Sequence, residues 1–250
     1  MKYKICVPIP IKSVNISENI DLINNVKDLN PNLIELRLDY IDDLQHITKD
    51  FVTNLLIHTQ PKIPVICTFR DFSEGGKVKI GISDRVKLLK TIIEAHPTYI
   101  DLEMHIENKI LSELIQLASQ NETNIIYSYH NFEKTPSFNE VSSILDTFLN
   151  RLKNQIQIEP KTLEKCIFKL IFMAQSFEDN LIPLKLCKEI SSKELRLISF
   201  CMGDLGLFSR IFCNFSGSFL TFSSMIDKTA PGQININDLR EILQILNFRI

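Results

Sequence analysis

The chain has 250 residues, 44% of them apolar, which is enough to bury a full core in one α/β barrel or in two smaller domains. Its 28 Lys and Arg against 30 Asp and Glu leave a formal net charge of -2 with no basic block. That balance excludes a general electrostatic pull toward nucleic acid or an anionic membrane, so an anionic ligand must be held by local arginines. The six cysteines, at positions 6, 67, 166, 187, 201 and 213, have no CxxC spacing and no neighbouring histidine pairs. They are expected to be reduced thiols, mostly in strands, with no metal site and no cofactor.

Short β-branched apolar runs alternate with stretches of helical periodicity, about eight of each, a rhythm that argues for a parallel sheet. The first run, Lys4–Ile9, starts so close to Met1 that no signal peptide fits before it, and no apolar run nears the ~18 residues of a membrane span. A cytoplasmic protein is expected. The second run, Leu33–Tyr40, is followed by Leu44, Ile47, Phe51 and Leu55 at helical spacing. Then come Val65–Arg70, a helix start with Ser83 as the expected N-cap, Tyr99–Met104, and Asn124–His130. After these, Val141, Ile144, Leu145, Phe148 and Leu152 mark another helical stripe. Cys166–Met173, Arg196–Met202 and Phe219–Ser224 complete the strands, with Asn237 as the expected cap of a last helix. No Pro/Gly/Ser-rich linker divides the chain and no Gly-rich dinucleotide loop follows the first strand. One domain over residues 1–250, a (β/α)₈ TIM barrel, is therefore expected.

Strand side chains alternate faces, so in Leu33-Ile34-Glu35-Leu36-Arg37-Leu38-Asp39 the charged residues should share one face and the aliphatics the other. With the apolar face toward the helices, Glu35, Arg37 and Asp39 would point at the barrel axis, where an unpaired charge costs several kcal/mol. Arg70 ends the third strand, Asp101 and Glu103 share a face of the fourth, His130 ends the fifth and Lys169 lies in the sixth. Barrel enzymes build their sites at the C-terminal ends of strands, which is where these groups fall. Glu35 and Arg37 could equally satisfy one another as a structural pair, and Asp39 and Glu103 are expected to hold neighbouring cations.

Lys169 sits in Ile167-Phe168-Lys169-Leu170-Ile171-Phe172-Met173, otherwise wholly apolar. Burial there favours a neutral amine, the form that attacks a carbonyl; the alternative is a lysine that snorkels to the barrel mouth or pairs with Asp101 or Glu103. His130, entering a loop, could carry protons near neutral pH, whereas His46, His58, His96 and His105 read as ordinary core or surface residues.

Together these segments resemble type I 3-dehydroquinate dehydratases over nearly the full chain. The resemblance rests on Glu35-Leu36-Arg37-Leu38-Asp39, Thr68-Phe69-Arg70 with Glu74-Gly75-Gly76, and Ile100-Asp101-Leu102-Glu103. It continues through Ser128-Tyr129-His130-Asn131-Phe132-Glu133-Lys134-Thr135-Pro136, Lys169-Leu170-Ile171-Phe172-Met173, Ser209-Arg210, and Thr229-Ala230-Pro231-Gly232-Gln233-Ile234 with Asn237-Asp238-Leu239-Arg240. The resemblance implies that Lys169 forms an imine with the ring ketone of 3-dehydroquinate, and that His130 removes the proton from carbon 2 and returns it to the departing hydroxyl. Glu74 would orient His130. Arg210 would clamp the substrate carboxylate, Glu35, Arg37 and Arg70 would hold ring hydroxyls, Thr229 and Gln233 would lie in a covering loop, and Met202 would pack on the ring. It also implies a cofactor-free homodimer in the shikimate pathway.

Thr229 stands where the family pattern commonly has serine, Phe200 where it often has a second methionine, and Asp204 adds a negative charge near the expected anion site. Two other readings remain open on residues alone. One is another imine-forming barrel such as a class I aldolase, for which Gly203-Asp204-Leu205-Gly206 would be a poor phosphate cradle. The other is a catalytically silent barrel that binds a carboxylate or a protein.

Overall fold

The computed structural model describes residues 3–193, 195–225 and 229–246. Eight strands neighbour one another in the order β7-β6-β5-β4-β3-β2-β1-β8. They are β1 Ile5–Pro10, β2 Leu33–Arg37, β3 Val65–Thr68, β4 Tyr99–Glu103, β5 Asn124–Asn131, β6 Ile167–Met173, β7 Arg196–Met202 and β8 Thr221–Phe222. The helices between them are α1 Ile16–Asp28, α2 Lys49–Thr59, α3 Ile82–Glu94, α4 Asn108–Gln120, α5 Phe138–Asn150, α6 Pro160–Lys165, α7 Leu181–Ser191, α8 Leu207–Phe212 and α9 Ile236–Ile245. Sequential parallel pairing with a helix after each strand is the (β/α)₈ barrel topology.

By internal packing the chain falls into two compact units, residues 6–126 and residues 1–5 with 127–250. In the first, β1, β2, β3 and β4 run parallel, with Arg37 registered on Thr68 and Thr68 on Asp101. Ile34 and Leu36 of β2, and Ile23 and Val26 of α1, are buried. In the second, β6 and β7 pair over seven residues, from Ile167 with Arg196 to Met173 with Met202. Tyr127, Phe148 and Phe168 form an aromatic cluster there, with centroids 5.1 to 6.4 Å apart.

Several local expectations are corrected. β2 stops at Arg37, and Leu38–Tyr40 is a 3₁₀ turn, so Asp39 is not a third charge on the strand face. The turn brings the Asp39 carboxylate back onto Arg37, two residues earlier. The Leu44 and Ile47 stripe precedes α2, which starts at Lys49 with Thr48 as its N-cap. Ser83 lies inside α3, whose N-cap is Gly81, and α9 is capped by Asn235, whose side chain accepts from the Asn237 N–H. In both cases the apolar periodicity begins earlier than the polar residue chosen as its cap: Ile82 and Ile236 already belong to the first turn. All six cysteines are free and buried, but only Cys6, Cys67 and Cys201 lie in strands; Cys166 is the C-cap of α6, Cys187 lies in α7 and Cys213 in a 3₁₀ turn. No helix among the described residues is long and apolar enough to cross a membrane.

Candidate active site

In the unit of residues 6–126 the C-terminal ends of β2, β3 and β4 carry a dense polar network. Glu35 on β2 accepts from the Thr68 hydroxyl of β3 at 2.8 Å, and both are buried. Arg37 forks onto Asp39, with Nε–Oδ1 at 2.8 Å and Nη2–Oδ2 at 2.9 Å. Burial opposes the Arg37 charge, but the Asp39 hydrogen bonds and carboxylate outweigh it and hold the guanidinium above its ordinary value. Arg70, two residues past β3, reaches Asp101 at 2.7 Å and Glu103 at 2.8 Å, both on β4. Its burial is likewise overcome, here by Asp101 and Glu103, so the cation is held well above the ordinary arginine range.

Glu103 also accepts from the Asp71 N–H at 2.9 Å and pairs with Arg85 of α3. The fully buried Glu103 thus bridges two buried guanidiniums, which Asp101 on Arg70 and Asp71 on Arg85 also meet. Glu103→Ala is expected to cost about 3–5 kcal/mol, because removing one partner strands buried charge. Urea unfolding followed by circular dichroism measures this; an unchanged midpoint would show that the network contributes nothing to stability.

Glu74 is buried at the end of the 3₁₀ turn Phe72–Glu74. The turn closes by the Gly76 N–H donating to the Asp71 carbonyl at 2.9 Å, and a Cβ on Gly76 would lie 2.1 Å from the Arg70 carbonyl oxygen, so only glycine lets the chain double back. The Glu74 carboxylate receives His105 Nδ1 at 3.0 Å. The residues alone leave His105 as an ordinary core or surface group.

In the other unit, β6 holds Lys169 at 5% exposure between fully buried Phe168 and Leu170, with its Nζ 4.6 Å from the centroid of the Phe222 ring on β8. Phe222 also meets Arg210: the guanidinium, 1% exposed, donates to the Phe222 carbonyl at 3.4 Å and to the Pro231 carbonyl at 3.2 Å. The Phe200 ring lies 4.4 Å from the Arg210 guanidinium carbon, so the departure at position 200 supplies a cation–π face. No carboxylate among the described residues pairs with Arg210, and its Nε has no hydrogen-bond partner there. Burial pushes Arg210 down to about 10, which leaves it charged at neutral pH. A buried cation without a counter-ion favours an anion beside it. Asp204 is exposed in the turn after β7 and does not fill that role.

The segment after β8 is fastened over this region of the unit. Gln233, buried, accepts from the Thr229 N–H at 2.8 Å and donates from Nε2 to the Thr229 hydroxyl at 3.1 Å. The Gly203 N–H donates to the Pro231 carbonyl at 3.3 Å, and a Cβ on Gly232, whose φ is +71°, would fall 2.2 Å from the Gly203 oxygen. Met202, the last residue of β7, is buried beside this contact. His130, near the end of β5, is half-buried and stacks against Phe132 with centroids 6.5 Å apart. The loop that follows it is tied to the end of β6 by the Thr135 hydroxyl donating to the Met173 carbonyl at 2.8 Å. Phe222, His105 and Arg85 were not singled out from the sequence. An aromatic in a strand, or a basic side chain on a helix or in a turn, carries no signal until its neighbours are known. Among the described residues no three His, Cys, Asp or Glu side chains are grouped to hold a metal ion.

The model of the family "Type I 3-dehydroquinase" matches residues 5–249. A 3-dehydroquinate dehydratase of Methanococcus maripaludis (strain S2) is 34% identical over 248 residues, covering 97% of this chain and 100% of its own. One from Clostridium botulinum is 31% identical over 252 residues, covering 99% and 93%. Among solved structures, the type I 3-dehydroquinate dehydratase of Clostridium difficile with covalently modified comenic acid has a TM-score of 0.79 at 27% identity, covering 98% of this chain and 92% of that one. The Geobacillus kaustophilus enzyme superposes with a TM-score of 0.82 at 24% identity, covering 99% and 92%, and speaks for the fold. With a match that runs through both units and every strand described above, the chain belongs to the type I 3-dehydroquinase family and is a hydro-lyase.

Proposed function

We propose that this chain converts 3-dehydroquinate to 3-dehydroshikimate by a syn elimination of water through an imine on Lys169, as one catalytic barrel spanning residues 1–250. The observation that carries the reading is the shared contact of Lys169 and Arg210 with Phe222. It puts a buried amine suited to a ketone and an uncompensated guanidinium suited to a carboxylate on opposite parts of one residue, as a cyclic keto-acid requires. The covalently modified ligand in the Clostridium difficile relative is consistent with covalent chemistry in such a site.

In this mechanism the Lys169 amine adds to the ketone carbon and water leaves, giving a protonated imine that draws electrons from the adjacent carbon. His130 takes the proton from carbon 2, and the C–H electrons move into the imine to form an enamine. Their return expels the hydroxyl from carbon 1, protonated by the His130 imidazolium, and hydrolysis of the remaining imine frees the lysine. Glu74 orients His130 and stabilises its charged form. Arg210 binds the carboxylate, for which a planar fork is better suited than an ammonium. Glu35, Arg37 and Arg70 hold ring hydroxyls, Met202 packs on the ring, and the loop of Thr229 and Gln233 excludes water. The added methyl of Thr229 keeps the hydroxyl that Gln233 engages. A homodimer acting in the cytoplasm, with no nucleic acid partner and no cofactor, completes the reading, and the pathway is that of aromatic amino acid biosynthesis.

Purified protein incubated with 3-dehydroquinate should produce a rising ultraviolet absorbance from the conjugated enone. Binding without that rise would favour a silent barrel. An aldol cleavage product in its place would favour the aldolase reading.

A further inference from the structure

Arg210 is held by weak means. Its Nη1 and Nη2 reach the main-chain carbonyls of Phe222 and Pro231 at 3.4 and 3.2 Å, both long for a charged donor, and Nε has no hydrogen-bond partner among the described residues. Burial works against the charge as well. The guanidinium carbon lies over the ring of Phe200, 4.4 Å from its centroid, and that ring is itself buried. The negative face of an aromatic ring stabilises a cation that has lost its water. Because the ring offers no hydrogen-bond acceptor, it does so without using the N–H groups that a carboxylate needs. Phe200 stands on β7 in register with Ile171, two residues along from the pair of Lys169 and Ile198, so its side chain shares the sheet face of Lys169. Its ring centroid is 6.2 Å from that of Phe222, over which the Lys169 Nζ sits at 4.6 Å. The two cations therefore rest on neighbouring rings, one ring each.

We propose that Phe200 is a positioning residue for Arg210: its ring holds the free guanidinium ready for a carboxylate, and so sets how tightly a carboxylate substrate binds without taking part in the chemistry at Lys169. The inference rests on the reading that Arg210 takes the substrate carboxylate. An arginine side chain has much rotamer freedom, which two long hydrogen bonds restrain only in part. When the binding position is held in only a fraction of the free protein, the apparent affinity falls by that fraction. Weakening the ring lowers the fraction, and the ordering it supplied must then come out of the binding free energy. The Lys169 amine keeps its own ring, Phe222, so the loss falls on binding rather than on turnover.

The test combines steady-state kinetics on 3-dehydroquinate with calorimetric binding of quinate, which carries the carboxylate but has no ketone to form an imine. Phe200 is replaced by leucine and by phenylalanines bearing successively more ring fluorines, which drain the negative face of the ring at nearly constant shape. KM and the quinate Kd are expected to rise in step with fluorination and to reach about 5–30-fold in Phe200→Leu, the factor that one desolvated cation–π contact corresponds to. Meanwhile kcat should stay within about 3-fold of the wild type, the pattern of lost binding rather than lost chemistry. In an Arg210→Met background Phe200→Leu should change kcat/KM by less than about 2-fold, because the route runs through the guanidinium. Constants that do not follow fluorination, a fall in kcat at unchanged KM, or an equal effect in both backgrounds overturns the proposal while leaving the role of Arg210 intact. An Arg210→Met enzyme with wild-type KM removes the role of Arg210 and the proposal with it. Should Phe200→Leu fold poorly, the fluorinated series, which leaves the packing in place, still decides.

Discussion

Lys169→Ala is expected to lower kcat by on the order of 10⁴–10⁶, the scale on which loss of a covalent nucleophile acts. Without the amine the substrate keeps a neutral ketone, a far poorer electron sink than a protonated imine, and removal of the carbon 2 proton loses its driving force. The side chain lies between Phe168 and Leu170 in a strand paired along its whole length with β7, so the variant should retain its fold; it removes a buried amine whose desolvation opposes folding. Enone absorbance gives the rate, and circular dichroism checks the fold. Borohydride added with 3-dehydroquinate should reduce the imine to a stable secondary amine on the peptide that contains Lys169, and should leave the Ala variant unmodified. A near-wild-type rate in Lys169→Ala, or an adduct on another lysine, would remove Lys169 from the chemistry.

His130→Ala should show a different pattern. Loss of a proton carrier costs about 10²–10⁴-fold in turnover, yet the amine and the Arg210 anion site remain. The imine should therefore still form and persist, because both proton removal and imine breakdown are slowed. Borohydride trapping is expected to give adduct on Lys169 in the variant while kcat falls, and mass spectrometry of the intact protein during turnover should show the adduct accumulating. Undiminished turnover would sink the assignment of His130 as the base. Loss of trapping together with loss of turnover would mean that the imidazole acts before the imine forms.

The strand positions came through the sequence almost unaltered. Arg196–Met202 was located to the residue, and the other runs were located to within a few. Buried parallel strands are short unbroken runs of β-branched and aromatic residues, and little else in a chain of this composition looks like them. The burial of Glu35, Arg70 and Lys169 was legible because a charge inside such a run, or just past its end, stands out against the apolar pattern. Helix starts were read less well. Thr48, Gly81 and Asn235 are the caps, and each was passed over or placed late. Capping is decided by one residue's backbone dihedrals and by which N–H happens to face its side chain, and periodicity carries neither.

That Asp39 and Glu103 would hold cations was legible along the chain, but how many and which ones was not. Nothing at positions 70, 85 and 103 announces that one carboxylate will serve two guanidiniums, and nothing at position 105 distinguishes that histidine from His46, His58 and His96. Phe222 was one aromatic among sixteen phenylalanines until the tertiary structure set the lysine on its ring and the arginine on its carbonyl. Hydrophobic pattern and motif order by themselves determined the βα rhythm, the barrel class and the family, because burial of alternating faces is a local demand that each segment must meet. Which acid holds which base was decided only by tertiary structure, because an ion pair depends on distances of a few ångströms between residues tens of positions apart.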